Sequence, residues 1–193
     1  MTVRPSITGE QAGACVDRRG RQGRLIAVEG PGGVGASTVT ALIAELLRAQ
    51  GVPVLVAQKS ADASLGALAR QGAETIRPAL DRGDVVLCDR YIVSSLVAQR
   101  MDGSEQEFVG GLQQRVVQPD LVIMITALPD VLAERATARG AHSSMECARF
   151  AEAGRFLRSQ GVRVLDVDAS HVDAAEVART AAVAITRIAK GRR

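Results

Sequence analysis

The residues best suited to chemistry run from Gly30 to Thr38, in the order Gly-Pro-Gly-Gly-Val-Gly-Ala-Ser-Thr. Glycines let backbone N–H groups curl around an anion, and a helix that opens directly afterwards adds its own unsatisfied amides and dipole. In the pattern G-x-x-x-x-G-K-[S/T], Ser37 stands where a hydroxyl ligates Mg²⁺. Ala36 stands at the lysine of that pattern. An ammonium there follows charge into the transition state, and losing one such donor typically slows a reaction by about 10²–10³. Gly30, Gly32, Gly33, Val34, Gly35, Ala36, Ser37 and Thr38 therefore read as a phosphate cradle without its cation. A second cluster, Asp89-Arg90-Tyr91, closes a later apolar run. A carboxylate suits hydrated Mg²⁺ and a guanidinium fork suits phosphate, although the same pair would also serve as a structural ion pair.

Positioning these groups requires a regular scaffold, and the apolar pattern supplies one. Leu25–Val28, Val52–Ala57, Val85–Cys88, Leu121–Ile125 and Val162–Val167 are short apolar runs that read as buried strands. Helical spacing follows Ser37 through Val39, Leu42, Ile43, Leu46 and Leu47, with Gly51 as the stop. Pro78–Arg82 reads as a helix end closed by Gly83. Ser104 with Glu107, and Asp173 with Glu176, have capping-box spacing. Further helices are expected from Pro129 to about Arg139 and over roughly 146–160. Five such strands alternating with helices predict an α/β fold, a five-stranded parallel sheet with helices on both faces. Ligands in such folds collect beyond the strand C-termini, which puts Glu29, Gln58 and Asp89 at the mouth of the site.

Composition narrows the class. A chain of 193 residues with 47% hydrophobic content is large enough for one domain with a real core. No apolar run reaches the ~18 residues of a membrane span, and the N-terminus lacks a signal-peptide core, so a cytoplasmic protein without membrane contact is expected. Cys15, Cys88 and Cys147 lack metal-ligand spacing. The net charge of +3 arises from +3 in residues 1–24 and +3 in residues 190–193, which leaves −3 between them. Basic ends on a mildly acidic body, with Tyr91, Phe108, Phe150 and Phe156 as the aromatics, argue against nucleic acid as a partner. Residues 1–23 read as a mobile extension, 24–190 as the domain and 191–193 as a tail. Lysine is scarce: Lys59 and Lys190 stand beside 22 arginines. Lys59 follows the second strand, where it would replace the missing loop cation or sit as an exposed loop residue.

The chain resembles the thymidylate kinase family of P-loop nucleoside monophosphate kinases, with its three-layer P-loop NTPase fold. Val28-Glu29-Gly30 into the loop, Ile76-Arg77-Pro78-Ala79-Leu80, and Gly83 through Ile92 carry the likeness, followed by Ser94-Ser95-Leu96, Gln99 and Pro119-Asp120-Leu121. The resemblance implies an ATP-dependent phosphotransferase acting on a small nucleotide, using Mg²⁺ and assembled as a homodimer. It implies that Asp89 positions Mg²⁺ with Ser37, and that Arg90 holds the acceptor monophosphate. Gln58, Ser95 and Gln99 would line the acceptor site, and Arg135 and Arg139 would approach the donor. The sequence departs from the family at Ala36, at Gln58-Lys59-Ser60 in place of an Arg-Glu-Pro segment, and at Gly32, commonly an acidic or amide residue there. It is also short by roughly twenty residues between Leu65 and Ile76 as the family resemblance has it, which implies an acceptor pocket that is open or differently built. Three readings follow from the residues: a phosphotransferase with altered or reduced activity, a phosphohydrolase acting on a nucleotide-like phosphate, and a non-catalytic nucleotide-binding protein.

Overall fold

Strand β1 (Arg24–Glu29) is buried along its whole length, as a central strand covered on both faces must be. Its side chains alternate. Leu25 and Ala27 join one core cluster with Val86, Cys88, Val122 and Met124, while Ile26 and Val28 join the other with Val85, Leu87, Leu121 and Ile123. The computed structural model describes residues 23–58, 62–102, 109, 111, 112, 114–135 and 144–190. The expected capping box at Ser104 and Glu107, the extension over 1–23 apart from Gly23, and the tail over 191–193 lie outside them.

The sheet is five-stranded and parallel in the order β2-β3-β1-β4-β5, where β2 is Val54–Ala57, β3 Val85–Asp89, β4 Leu121–Thr126 and β5 Val164–Asp168. Helices α1 (Ala36–Ala49) and α7 (Ala174–Lys190) supply the buried residues of one face. The other face is covered by α2 (Leu65–Gln71), α3 (Arg77–Asp81), α4 (Ile92–Asp102) and α6 (Ser144–Ser159). A short α5 (Pro129–Arg135) follows β4. This is the three-layer α/β arrangement of P-loop NTPases. Among the described residues, no helix is long and apolar enough to cross a membrane.

One element exceeds the expectation. The stretch after Ser64 is helical from Leu65, with Ser64 Oγ accepting from the Ala67 amide at 3.2 Å. It runs through a π turn at Gly72–Ile76 directly into α3. Pro78 has no N–H to give the ladder, and its ring crowds the preceding turn, so the helix widens just before it. Helix α7 begins as its spacing predicts, with Asp173 Oδ1 accepting from the Glu176 amide at 2.7 Å.

Strand β1 sits between β3 and β4, and its following helix α1 lies on the opposite face from α4, which follows β3. The chain thus diverges to the two faces at the adjoining C-terminal ends of β1 and β3. In open α/β sheets this divergence opens the ligand crevice.

Candidate active site

The loop between β1 and α1 is held close to the sheet. A Cβ on Gly30 would fall 2.4 Å from the Ile125 carbonyl oxygen, so only glycine lets the chain leave β1 here. Gly35, with φ +84°, turns the chain into α1 and caps it without any side-chain hydrogen bond. Gly35 has no side chain with which to cap the first amides of α1, and among the described residues no side chain is recorded accepting from them; such amides are the donor set an anion needs. Ser37 and Thr38 are exposed at that helix end, whereas Ala36 is buried with 3% exposure.

Arg90 is the one non-glycine residue at positive φ among the described residues, at 66°. That conformation costs about 1 kcal/mol and persists where surrounding bonds enforce it. Its amide donates to the Val28 carbonyl at 3.0 Å. Its guanidinium donates to the Gly30 carbonyl at 2.6 Å, the Pro31 carbonyl at 3.3 Å and Ser94 Oγ at 3.4 Å. Arg90 thereby braces the loop through its carbonyls.

Behind Arg90 lies Glu29, fully buried at the end of β1. Its Oε1 accepts from the amides of Tyr91 at 2.8 Å and Val93 at 2.9 Å, and its Oε2 accepts from the Ser94 amide at 3.2 Å and Ser94 Oγ at 2.5 Å. The carboxylate serves as the N-terminal cap of α4 from a different strand. Burial holds the Glu29 carboxyl above its ordinary range; Ser94, the two amides and Arg90 pull the other way without overcoming it. Glu29, Ser94 and Arg90 thus form one chain of contacts joining β1, α4 and the loop.

Asp89 pairs in register with Val28 and is 7% exposed. Its Oδ1 is buried and has no hydrogen-bond partner. Buried polar oxygens are nearly always satisfied, so an orphan here fits a cation or a cation-bound water. Among the described residues no three His, Cys, Asp or Glu side chains cluster to hold a metal alone. That suits Mg²⁺, which is commonly held by one or two carboxylates together with substrate phosphates. Cys88, beside them in β3, is buried, and its thiol is pushed up by that burial and by Glu29 and Asp89, so it is no nucleophile.

Residues expected on the acceptor side lie close together. Asp62, Ala63, Leu68 and Gln71 pack against Arg90, Tyr91, Ser94 and Ser95, leaving a void of about 10 Å³. The Gln99 side-chain amide lies 3.5 Å from the Ala63 carbonyl, and Gln58 offers its carbonyl to the Gln71 side chain at 3.0 Å. Arg135 donates to the Ala169 carbonyl at 3.0 Å. Lys59 and Arg139 lie outside the described residues. A cavity of about 880 Å³ between Arg24, Asp120, Phe156 and Arg163 opens at the N-terminal ends of β1, β4 and β5. It is at the wrong end of the sheet for the chemistry of the loop.

Sequence reasoning had no means of finding Glu146. Its Oε1 accepts from the Gly32 amide at 3.1 Å, across 114 positions of chain. The role of Glu29 had a signal, since an acid that ends an apolar strand must meet donors or remain unionised.

Comparison with known proteins agrees with this geometry. A family model described as thymidylate kinase matches residues 63–163. A probable thymidylate kinase of Archaeoglobus fulgidus is 30% identical over 170 residues, covering 76% of this chain and 87% of that protein. A thymidylate kinase of Pseudomonas syringae pv. tomato is 35% identical over 163 residues, covering 69% and 75%. A probable thymidylate kinase of Pyrococcus abyssi is 29% identical over 154 residues, covering 65% and 75%. With the sheet order, the bare helix end after β1 and the Asp89-Arg90 pair at β3 all in place, the chain belongs to the thymidylate kinase family.

Proposed function

We propose that the protein is a Mg²⁺-dependent phosphotransferase that moves the terminal phosphoryl group of ATP to a nucleoside monophosphate of the thymidylate class, at a reduced rate. The observation that carries this reading is the orphaned Oδ1 of Asp89, buried at the end of β3 and in register with Val28 of the strand that leads into the loop. Mg²⁺, when bound, neutralises charge on the phosphates. Ser37 and Asp89 would hold it. The loop amides over Gly32–Thr38 bind and orient the donor phosphates. Arg90 keeps the loop in shape, and its remaining donors meet the acceptor phosphate, with Ser95, Gln99 and Gln58 beside it. In the transfer, an acceptor phosphate oxygen bonds to the terminal phosphorus as the bond to the departing diphosphate breaks. The attacking oxygen is already anionic and the bridging oxygen leaves as an anion of the departing diphosphate, so no general base is needed.

Ala36 supplies no cation, and this is the source of the reduced rate. Lys59, two residues beyond β2, would supply a cation in its place; the family resemblance puts Arg139 and Arg135 on the donor side, and Arg135 already donates to the Ala169 carbonyl. Lys59→Ala is expected to weaken nucleotide binding more than Lys190→Ala. The enzyme is read as a cytoplasmic homodimer, for which light scattering should return twice the mass of 20.2 kDa.

The test is phosphorus NMR of the protein with Mg²⁺, ATP and thymidylate. The expected result is a new nucleoside diphosphate from the acceptor, with Ala36→Lys raising its rate by about tenfold or more. Transfer by neither the wild type nor Ala36→Lys would refute the reading. One observation favours a phosphohydrolase as the second reading: the void beside Arg90 and Ser95, about 10 Å³, is close to the space of one water. Inorganic phosphate released without any acceptor would select it.

A further inference from the structure

We infer that Glu146 is an internal anion that occupies the phosphate loop and competes with the donor nucleotide for it, so that this residue sets nucleotide affinity. The inference rests on the reading of the loop given above and adds a determinant of binding at the same site.

The Gly32 amide donates to Glu146 Oε1 at 3.1 Å. Among the described residues, no other side chain accepts from an amide of the loop. The loop's geometry explains why an acceptor is drawn there. Arg90 takes the carbonyls of Gly30 and Pro31, which fixes the peptide planes on that side and directs the following amide away from Arg90. Gly35 has no side chain to cap α1, so the helix end adds its own backbone donors close to Gly32 in sequence. A carboxylate that reaches it makes a charge-assisted hydrogen bond, stronger than one between neutral groups.

The carboxylate is also delivered by a fixed element. Glu146 sits in the first turn of α6, which is anchored by Phe150, Ala153 and Leu157 in the core and by the Arg100–Glu152 ion pair at 3.4 Å. Phosphate oxygens and a carboxylate oxygen cannot share one N–H. They also repel each other at contact distance in a half-buried crevice. A nucleotide that uses the Gly32 amide must therefore displace Glu146, and its apparent affinity is lowered accordingly.

The experiment is isothermal titration of Mg²⁺-ATP into the wild type, Glu146→Gln, Glu146→Ala and Glu152→Gln. Glu152→Gln removes a carboxylate from the same helix but one paired with Arg100 rather than the loop. The Glu146 variants should bind about 3- to 10-fold tighter, the range expected when a partly exposed charge-assisted bond no longer has to be broken. Glu152→Gln should match the wild type. A second readout separates competition from a structural role: the ligand-induced rise in Tm should grow in the Glu146 variants while the Tm without ligand stays level or falls. Unchanged or weaker binding by the Glu146 variants, with a wild type that binds, would overturn the inference. Equal tightening in Glu152→Gln would also overturn it, by assigning the effect to net charge. Failure of every protein to bind would instead refute the functional reading and the inference with it.

Discussion

Replacing Glu29 by alanine removes the acceptor for four donors at once. Two of them, the amides of Tyr91 and Val93, are fully buried, and the two from Ser94 are partly so. A buried donor left without a partner costs about 1–3 kcal/mol, so the two buried amides alone amount to roughly 2–6 kcal/mol. Against this, the variant no longer buries a carboxylate, whose desolvation is large enough to raise its pKa. The balance falls in the lower half of that range, about 3 kcal/mol. For a chain of this size each kcal/mol moves Tm by roughly 2–4 °C, so Tm should fall by about 6–12 °C. Urea unfolding followed by circular dichroism measures the first quantity and a thermal scan the second. Hydrogen exchange should also quicken at Tyr91, Val93 and Ser94 before it does so at the sheet. A Glu29→Ala protein within about 0.5 kcal/mol of the wild type would refute the claim that this carboxylate anchors α4.

Other outcomes follow from the same contacts. Because burial holds the Glu29 proton above its ordinary value of 4.5 in the native state, native stability falls as pH rises from there through the raised native pKa. Glu29→Gln lacks that dependence, so its stability relative to the wild type should improve as pH rises from 4 to 7; a constant difference would contradict it. Asp168 behaves oppositely: hydrogen bonds from Ser170 hold its carboxyl below 3.8, so its contribution is present above that value and lost as pH falls through the lower native one. In Ser170→Ala, carboxyl NMR titration should show the Asp168 pKa moving back up. Gly30→Ala should cost about 2 kcal/mol or more by forcing β1 and β4 apart and should impair nucleotide binding. Gly66→Ala, whose Cβ would meet only Ser64 Oγ at 3.9 Å, should be neutral or stabilising by up to about 1 kcal/mol in a chemical melt.

Much of this molecule can be read locally. Each strand is an apolar run bounded by polar or turn residues, and α1 and α7 carry unbroken helical spacing, so their burial follows from the pattern. Of the helix from Leu65 to Asp81, only the end near Pro78–Arg82 could be read this way. Gly66, Gly72 and Pro78 each disfavour helix, and it is packing of Leu68, Ile76 and Ala79 into the core that overrides them. The site divides similarly. The loop, Asp89 and Arg90 are legible because strand, turn and helix lie within a few residues of one another. That Arg90 spends donors on loop carbonyls, that Arg135 reaches Ala169, and that Glu146 meets Gly32 are contacts 34 to 114 residues apart in sequence. No local pattern encodes such contacts.

The proposed function requires that Asp89 hold a cation for a phosphate bound at the loop. Titration of ATP with Mg²⁺, and again with a chelator in its place, into the wild type and Asp89→Asn measures it. The wild type should bind with an affinity that falls by about tenfold or more when Mg²⁺ is withdrawn, and Asp89→Asn should lose most of that Mg²⁺ dependence while staying folded. Equal affinity with and without Mg²⁺ in the wild type, or an Asp89→Asn protein with the full Mg²⁺ dependence, would contradict it.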